Sequence, residues 1–450
     1  MTTHEETQSK GVETQPVASE SVLQDKLVTT EHAVTIAGRE LSYIAIAGTL
    51  AMKDEAGKAK ASIFFVAYLK KDVSDAGRRP LTFSFNGGPG SSSIWLHLGL
   101  LGPRRVLSGD VDQVMPPPYR LADNEQTLLA TSDLVFIDPV STGYSRAAQG
   151  EEAKQFHGLE KDMESVGEFI RLFVTRYKRW RSPKFLIGES YGTTRAAALA
   201  GHLQERHGLY LNGIMLVSSV LDFGTILFNP GHDLPHLLYL PSFAATAWYH
   251  GKSDPAYVDN LPGLLREVEA FALGDYALAL LRGAALDSEE RTRIVERLAA
   301  YTGLTPRYIE QTNLRIEIMR FCKELLRGQR RTVGRLDSRF QGIDRDAAGE
   351  QPERDPSYSA ILGPYAGAFN AYIREELAFA SDLPYEVLTS LYETWDYSKH
   401  QNKFVNVAES LRTATAQNPH LRVLVANGYF DLATPYFATD AARQHSDDLL

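Results

Sequence analysis

The chain has 450 residues, 44% apolar and 23% charged, with a formal net charge of −9. That length suits a large α/β core carrying an insertion, and the composition is that of a soluble globular protein. An acidic chain without an extended basic patch argues against nucleic-acid binding. The locally basic run Arg327 to Arg335 reads as the solvated end of a helix over Asn313–Leu326.

In chain order, residues 1–27 are rich in Thr, Glu, Gln and Ser and lack an apolar targeting core. They read as a disordered tail, and the expected compartment is the cytoplasm. No apolar run approaches a membrane span. Residues 28–222 read as the first part of an α/β core. Ala33–Ile36, Leu41–Ile46 and Ala61–Leu69 form an antiparallel meander, with turn chemistry at Gly38 and Asp54–Gly57. The short apolar runs Leu81–Phe85, Asp133–Ile137, Lys184–Ile187 and Gly213–Val217 follow. The later ones alternate with helical stretches, Leu159–Tyr177 and Thr193–Arg206, which predicts a mostly parallel sheet. Continuous apolar strands suit burial on both faces.

From 223 to 399 the pattern is helical: Leu237–Tyr249, Tyr257–Leu281, Ser288–Thr302, Pro306–Leu326 and Tyr365–Leu377, interrupted by a polar loop over Arg335–Ser359. This reads as a mainly helical cap insertion. The single cysteine, Cys322, excludes an intramolecular disulfide and sits in an amphipathic pattern as a buried apolar residue. Residues 400–450 return to the core through a helix, Phe404–Gln417, and a strand, Leu421–Ala426. No metal-ligand spacing occurs, and no cofactor is implied.

Two motifs carry chemistry. Gly188-Glu189-Ser190-Tyr191-Gly192 follows the apolar strand Lys184–Ile187 and opens an Ala- and Leu-rich helix. This is the strand–turn–helix context in which Gly-x-Ser-x-Gly presents a nucleophile; a serine that merely caps a helix is the bland competitor. Phe85-Asn86-Gly87-Gly88-Pro89-Gly90-Ser91-Ser92-Ser93 follows Leu81–Phe85. Its glycines allow a sharp turn whose N–H groups converge, as a tetrahedral oxyanion requires. A phosphate loop would need a following Gly-Lys-Ser/Thr, which is absent.

These motifs, with Asp138-Pro139-Val140-Ser141-Thr142-Gly143-Tyr144-Ser145 and Asn427-Gly428-Tyr429-Phe430-Asp431-Leu432-Ala433-Thr434-Pro435, occur in order. Together they resemble the successive signatures of the serine carboxypeptidases, in a version most like bacterial members. The likeness runs from about residue 30 to the end. It implies the α/β-hydrolase fold and a peptidase acting on the C-terminal residue of a peptide substrate. It also implies that Ser190 attacks the scissile carbonyl and that the backbone N–H groups of Gly88 and Tyr191 hold the oxyanion. Asn86 and a protonated Glu189 would bind the substrate carboxylate. Asp431 would be the triad acid, favoured over Asp222 by this likeness; Asp138 reads as structural. An esterase or acyltransferase on the same scaffold, and a catalytically silent binding protein, are the alternatives.

The sequence departs from the family in three places. Ser84 stands where a Trp is frequent. No acid occurs in Trp95–Pro103, where a second glutamate is frequent; Arg104 and Arg105 are candidate carboxylate ligands in its stead. After Asp431 the only histidine is His445, in a helical pattern, so the general base is expected beyond residue 450.

Overall fold

The computed structural model describes residues 23–111 and 113–444. Eight main strands form one mixed sheet: β1 (Lys26–Ile36), β2 (Arg39–Lys53), β3 (Ala59–Lys70), β4 (Leu81–Phe85), β5 (Asp133–Ile137), β6 (Lys184–Ser190), β7 (Gly213–Ser219) and β8 (Arg422–Ala426). Their spatial order is β1-β2-β3-β5-β4-β6-β7-β8, and a two-residue strand, Arg146–Ala147, pairs with β3. β1, β2, β3 and β5 pair antiparallel; β5, β4, β6, β7 and β8 run parallel. This is the α/β-hydrolase arrangement expected from the sequence.

Composition explains the two halves. β3 carries Ile63, Phe64, Phe65, Val66 and Tyr68, and β2 carries Tyr43, Ile44 and Ile46, residues that suit a pleated, packed surface. All five residues of β4, and all five of β5, are buried, because the parallel strands have helices on both faces. On one face the helices Leu159–Arg176, Tyr191–His207 and Ala408–Gln417 contribute Val166, Phe169, Ile170, Phe173, Leu199 and Leu411 to the core. On the other, the helical turn after the Gly-rich loop and the helix Pro356–Glu375 contribute Ile94, Leu98, Phe369 and Tyr372. The inserted helices have a core of their own around Phe243, Val268, Leu298 and Phe321, which also takes up Leu432 and Phe437. Among the described residues no helix is long and apolar enough to cross a membrane.

Several expected boundaries move. β1 begins at Lys26, inside the stretch assigned to the tail, because Lys26 and Leu27 pair with Thr49 and Gly48. A Cβ on Gly48 would lie 1.9 Å from the Lys26 carbonyl oxygen, so the close pairing requires glycine there. Pro306–Leu326 is not one helix. It breaks between Pro306–Gln311 and Ile318–Glu324, where Asn313 and Leu314 adopt positive φ. The Glu317 carboxylate then accepts from the N–H groups of Met319 and Arg320 and starts the second helix. Arg327–Gln329 follows as a separate 3₁₀ turn, so the basic run does not continue a long helix. Tyr257–Leu281 divides into Leu261–Phe271 and Ala277–Arg282 around a π-turn with non-helical dihedrals at Gly274. The expected loop over Arg335–Ser359 ends early, because Asp355 caps a helix from Pro356. Cys322 is buried, as expected.

At the opposite end of the strands from their carboxyl termini, Asp133 accepts from Arg79 Nε (2.7 Å) and from Arg179 Nη1 (2.6 Å). Arg179 and Asp133 are almost fully buried. Removing one partner of such a pair strands the other charge and costs about 3–5 kcal/mol. Asp133→Ala is therefore expected to lower Tm measured by thermal denaturation at neutral pH; an unchanged Tm would show that the pair does not hold this end of the sheet.

Candidate active site

In this sheet β4 leads to β5 on one side, while β6 lies on the other. That is a switch point of an open parallel sheet, where a crevice forms beyond the carboxyl ends of the strands. β4 ends in the Gly-rich loop at Asn86, and β6 ends in Ser190.

Ser190 is the last residue of β6 and the cap of the helix Tyr191–His207, with φ 57° and ψ −129°. A side chain other than hydrogen is held in that region only at a cost of about 1–3 kcal/mol. Neighbouring glycines make the turn possible. A Cβ on Gly188 would lie 2.1 Å from the Gly192 oxygen, and one on Gly192 would lie 2.8 Å from the Phe85 oxygen. Thr193 Oγ1 donates to the Ser190 carbonyl (2.7 Å) and accepts from the Val220 N–H (2.9 Å), which ties the turn to the end of β7. Ser190 itself is partly exposed.

The Gly-rich loop comes against this elbow. A Cβ on Gly87 would lie 2.4 Å from the Tyr191 nitrogen and 3.0 Å from Ser190 Cβ. Only a glycine lets the two backbones approach so closely. Gly88 has φ 105°. Tyr191 is the first residue of its helix, so its N–H has no partner within that helix. Asn86 is fully buried. Its Oδ1 accepts from the Leu96 N–H (3.1 Å) and its Nδ2 donates to Glu189 Oε2 (2.9 Å). Burial pushes the Glu189 carboxyl up to about 7. The Asn86 and Gly87 donors oppose that shift, and the nearby Asp431 charge adds to it. A carboxyl in such a setting is substantially protonated at neutral pH.

Asp431 follows β8 and is buried. Its Oδ1 accepts from the N–H groups of Ala433 (2.8 Å) and Thr434 (3.0 Å), and its Oδ2 from Thr434 Oγ1 (2.8 Å). Burial raises its pKa, and these donors resist the rise. Asn427 links the same loop to the end of β7, accepting from the Ser219 N–H (3.2 Å). Ser219 in turn pairs with Ser190 across the strands. The predicted residues Ser190, Glu189, Asn86, Gly88, Tyr191 and Asp431 thus converge on adjacent strand ends.

The other candidates are engaged elsewhere. Asp222 caps a short turn, accepting from the Gly224 N–H and from Asn406 Nδ2. Asp138 is fully buried; burial pushes its carboxyl up to about 6, against the donors of Ser93, whose N–H and hydroxyl both reach its Oδ1 at 2.8 Å. It thereby ties down the end of the Gly-rich loop. Arg104 is paired through Nη1 with Asp123 and through Nη2 with Glu376, so two of its three nitrogens are already on carboxylates of the chain itself. Trp95 donates its Nε1–H to Ser91 Oγ (2.9 Å) and packs on Tyr365.

No described histidine hydrogen-bonds to Ser190 or Asp431. His97 is buried against Phe136, bonded to the Tyr68 hydroxyl at 2.6 Å, and held down at about 3 by burial. His157 meets Ser141 Oγ, while His232, His236 and His250 meet the backbone oxygens of Gly224, Ile316 and Ser338. His400 lies beside Glu160. His445 is outside the described residues.

The cap reaches the loop through one extended segment. The Thr389 N–H donates to the Gly90 oxygen (2.9 Å) and the Ser92 N–H to the Val387 oxygen (3.0 Å). Gly143 pairs with Glu386. An apolar cavity of about 400 Å³ lies at the far ends of the strands, lined by residues such as Thr82, Phe185, Met215 and Leu424, and is separate from the elbow.

Residues that the sequence alone did not single out are Asp162 and Arg195. Arg195 is a cation within the buried, Ala-rich first half of its helix, a pattern that signals a buried partner.

The serine carboxypeptidase family model matches residues 45–226. Serine carboxypeptidase-like 29 of Arabidopsis thaliana is 25% identical over 197 residues, covering 40% of this chain and 37% of that protein. The pheromone-processing carboxypeptidase KEX1 of Saccharomyces cerevisiae is 32% identical over 126 residues, 28% of this chain and 16% of that protein. The chain therefore spans well under half the length of these curated relatives. The crystal structure of a prohormone-processing carboxypeptidase from Saccharomyces cerevisiae superposes with a TM-score of 0.52 at 17% identity, over 89% of this chain and 76% of that one, a likeness of fold.

The Glu189 carboxyl has a raised pKa in the folded chain, so its contribution to stability is fully present below the unfolded value of 4.5 and is lost as pH rises toward about 7. Wild-type protein is expected to lose Tm relative to Glu189→Gln between pH 5 and pH 8; parallel Tm curves for the two proteins would contradict this.

Proposed function

We propose that this protein is a serine carboxypeptidase that releases the C-terminal residue of a peptide through an acyl-enzyme on Ser190. The observation that carries the reading is the approach of the Asn86–Gly88 loop to the strained Ser190 elbow, with the Asn86–Glu189 pair beside it. The matched family and the two carboxypeptidase relatives support the same activity.

In this reading Ser190 Oγ attacks the scissile carbonyl carbon, and the Gly88 and Tyr191 N–H groups stabilise the oxygen as it becomes negative. A histidine outside the described residues takes the Ser190 proton and returns it to the leaving amine. Asp431 orients that imidazole and stabilises its charged form. The amine departs, the acyl group stays on Ser190, and water then releases it by the same steps. Glu189, protonated, and the Asn86 amide donate to the α-carboxylate of the substrate. A carboxyl–carboxylate hydrogen bond needs one shared proton, so it exists only while Glu189 keeps its own. The bacterial character of the four motifs belongs to this same proposal; the two relatives above come from a plant and a yeast.

A peptidyl phosphonate is expected to label Ser190 in the full-length protein, and Ser190→Ala to abolish the labelling. Blocked dipeptides with a free C-terminus should be cleaved in strong preference to their amides; equal cleavage of both would remove carboxylate recognition from the account. Above pH 7, KM for the free acids should rise about tenfold per pH unit as Glu189 loses its proton, and Glu189→Gln should flatten that dependence. A KM that stays level from pH 6 to pH 9 in the wild type would count against the role given to Glu189.

A further inference from the structure

Arg195 lies one helical turn beyond Tyr191, on the helix that begins at the elbow. It is among the largest fully buried side chains of the described residues. Three elements meet at its guanidinium. Nη1 donates to the Asn86 carbonyl oxygen at 2.7 Å, at the root of the Gly-rich loop. Nε donates to Asp162 Oδ2 at 2.7 Å, in the first turns of the helix Leu159–Arg176. The rings of Phe85 and Tyr191 flank it, with the guanidinium carbon 5.2 and 5.4 Å from their centroids. Asp162 is as buried as its partner.

A buried ion pair is a poor source of stability, since desolvation offsets most of the attraction. Its geometry is the informative part. The bond to the Asn86 oxygen fixes the orientation of the peptide that leads into Gly87 and Gly88. The ring contact ties the same guanidinium to Tyr191, whose N–H faces that loop. We infer that Arg195, anchored by Asp162, is a positioning residue that sets the spacing between the Gly88 and Tyr191 N–H groups; the inference rests on the oxyanion role proposed above. The Asn86 side chain keeps its own bonds to Leu96 and Glu189, so carboxylate binding does not depend on Arg195. The effect falls on the transition state, and hence on kcat more than on KM.

The test uses the full-length protein, first checked for reaction with a peptidyl phosphonate. Arg195→Met keeps the apolar stem and removes the guanidinium. It is expected to lower kcat by on the order of 10- to 100-fold with KM little changed, and Arg195→Lys to recover part of the loss. Arg179→Met is the control: it breaks a comparably buried pair with Asp133 at the other end of the sheet and should lower Tm while leaving kcat intact. If Arg195→Met does not fold, Asp162→Asn gives the same readout by releasing the anchor. Wild-type kcat in either variant, or an equal fall in Arg179→Met, would overturn the proposal. A wild-type protein that does not react with the phosphonate would overturn the underlying reading, and this one with it, before any variant is made.

Discussion

The close approach of two backbones, Asn86–Gly88 and Ser190–Tyr191, is the constraint on which the site depends. They belong to loops at the ends of neighbouring parallel strands, and a single Cβ at Gly87 would collide with the Tyr191 nitrogen. Glycine alone removes the collision but brings no attraction of its own. The approach is held by groups around it. Arg195 grips the Asn86 carbonyl from beneath, Thr193 ties Ser190 to Val220, and Asp138 secures the loop at Ser93. The strain at Ser190 persists because these contacts over-determine the turn.

The cap is joined to this arrangement directly. The Val387–Thr389 segment bonds the loop at Gly90 and Ser92, and Trp395 packs edge-on against Tyr191 at 5.6 Å. The inserted helices share a core with Leu432 and Phe437, which flank the segment after Asp431. A shift of the cap would therefore be felt both at the loop and at Asp431. Such coupling is a means by which an insertion influences a site whose reactive serine it does not supply.

Much of this was legible in the sequence because it is local. Gly-x-Ser-x-Gly between an apolar strand and a helix defines a backbone path within a few residues, as does Asn-Gly-Gly-Pro-Gly after β4. The alternation of apolar runs and helical stretches likewise reveals a parallel sheet. What depends on distant partners was not legible. Arg195 meets an acid 33 residues earlier and a carbonyl 109 residues earlier. Arg104 reads as open to a carboxylate because its partner Glu376 lies 272 residues away. The helix expected over Pro306–Leu326 breaks because two consecutive residues without β-branching, Asn313 and Leu314, turn the chain at positive φ, and periodicity alone carries no sign of that.

The most direct test of the account is the crystal structure of the full-length protein after reaction with a peptidyl phosphonate. Phosphorus is expected on Ser190 Oγ, with a phosphonyl oxygen about 3 Å from both the Gly88 and Tyr191 nitrogens. An adduct on another residue, or a phosphonyl oxygen turned away from both N–H groups, would contradict it.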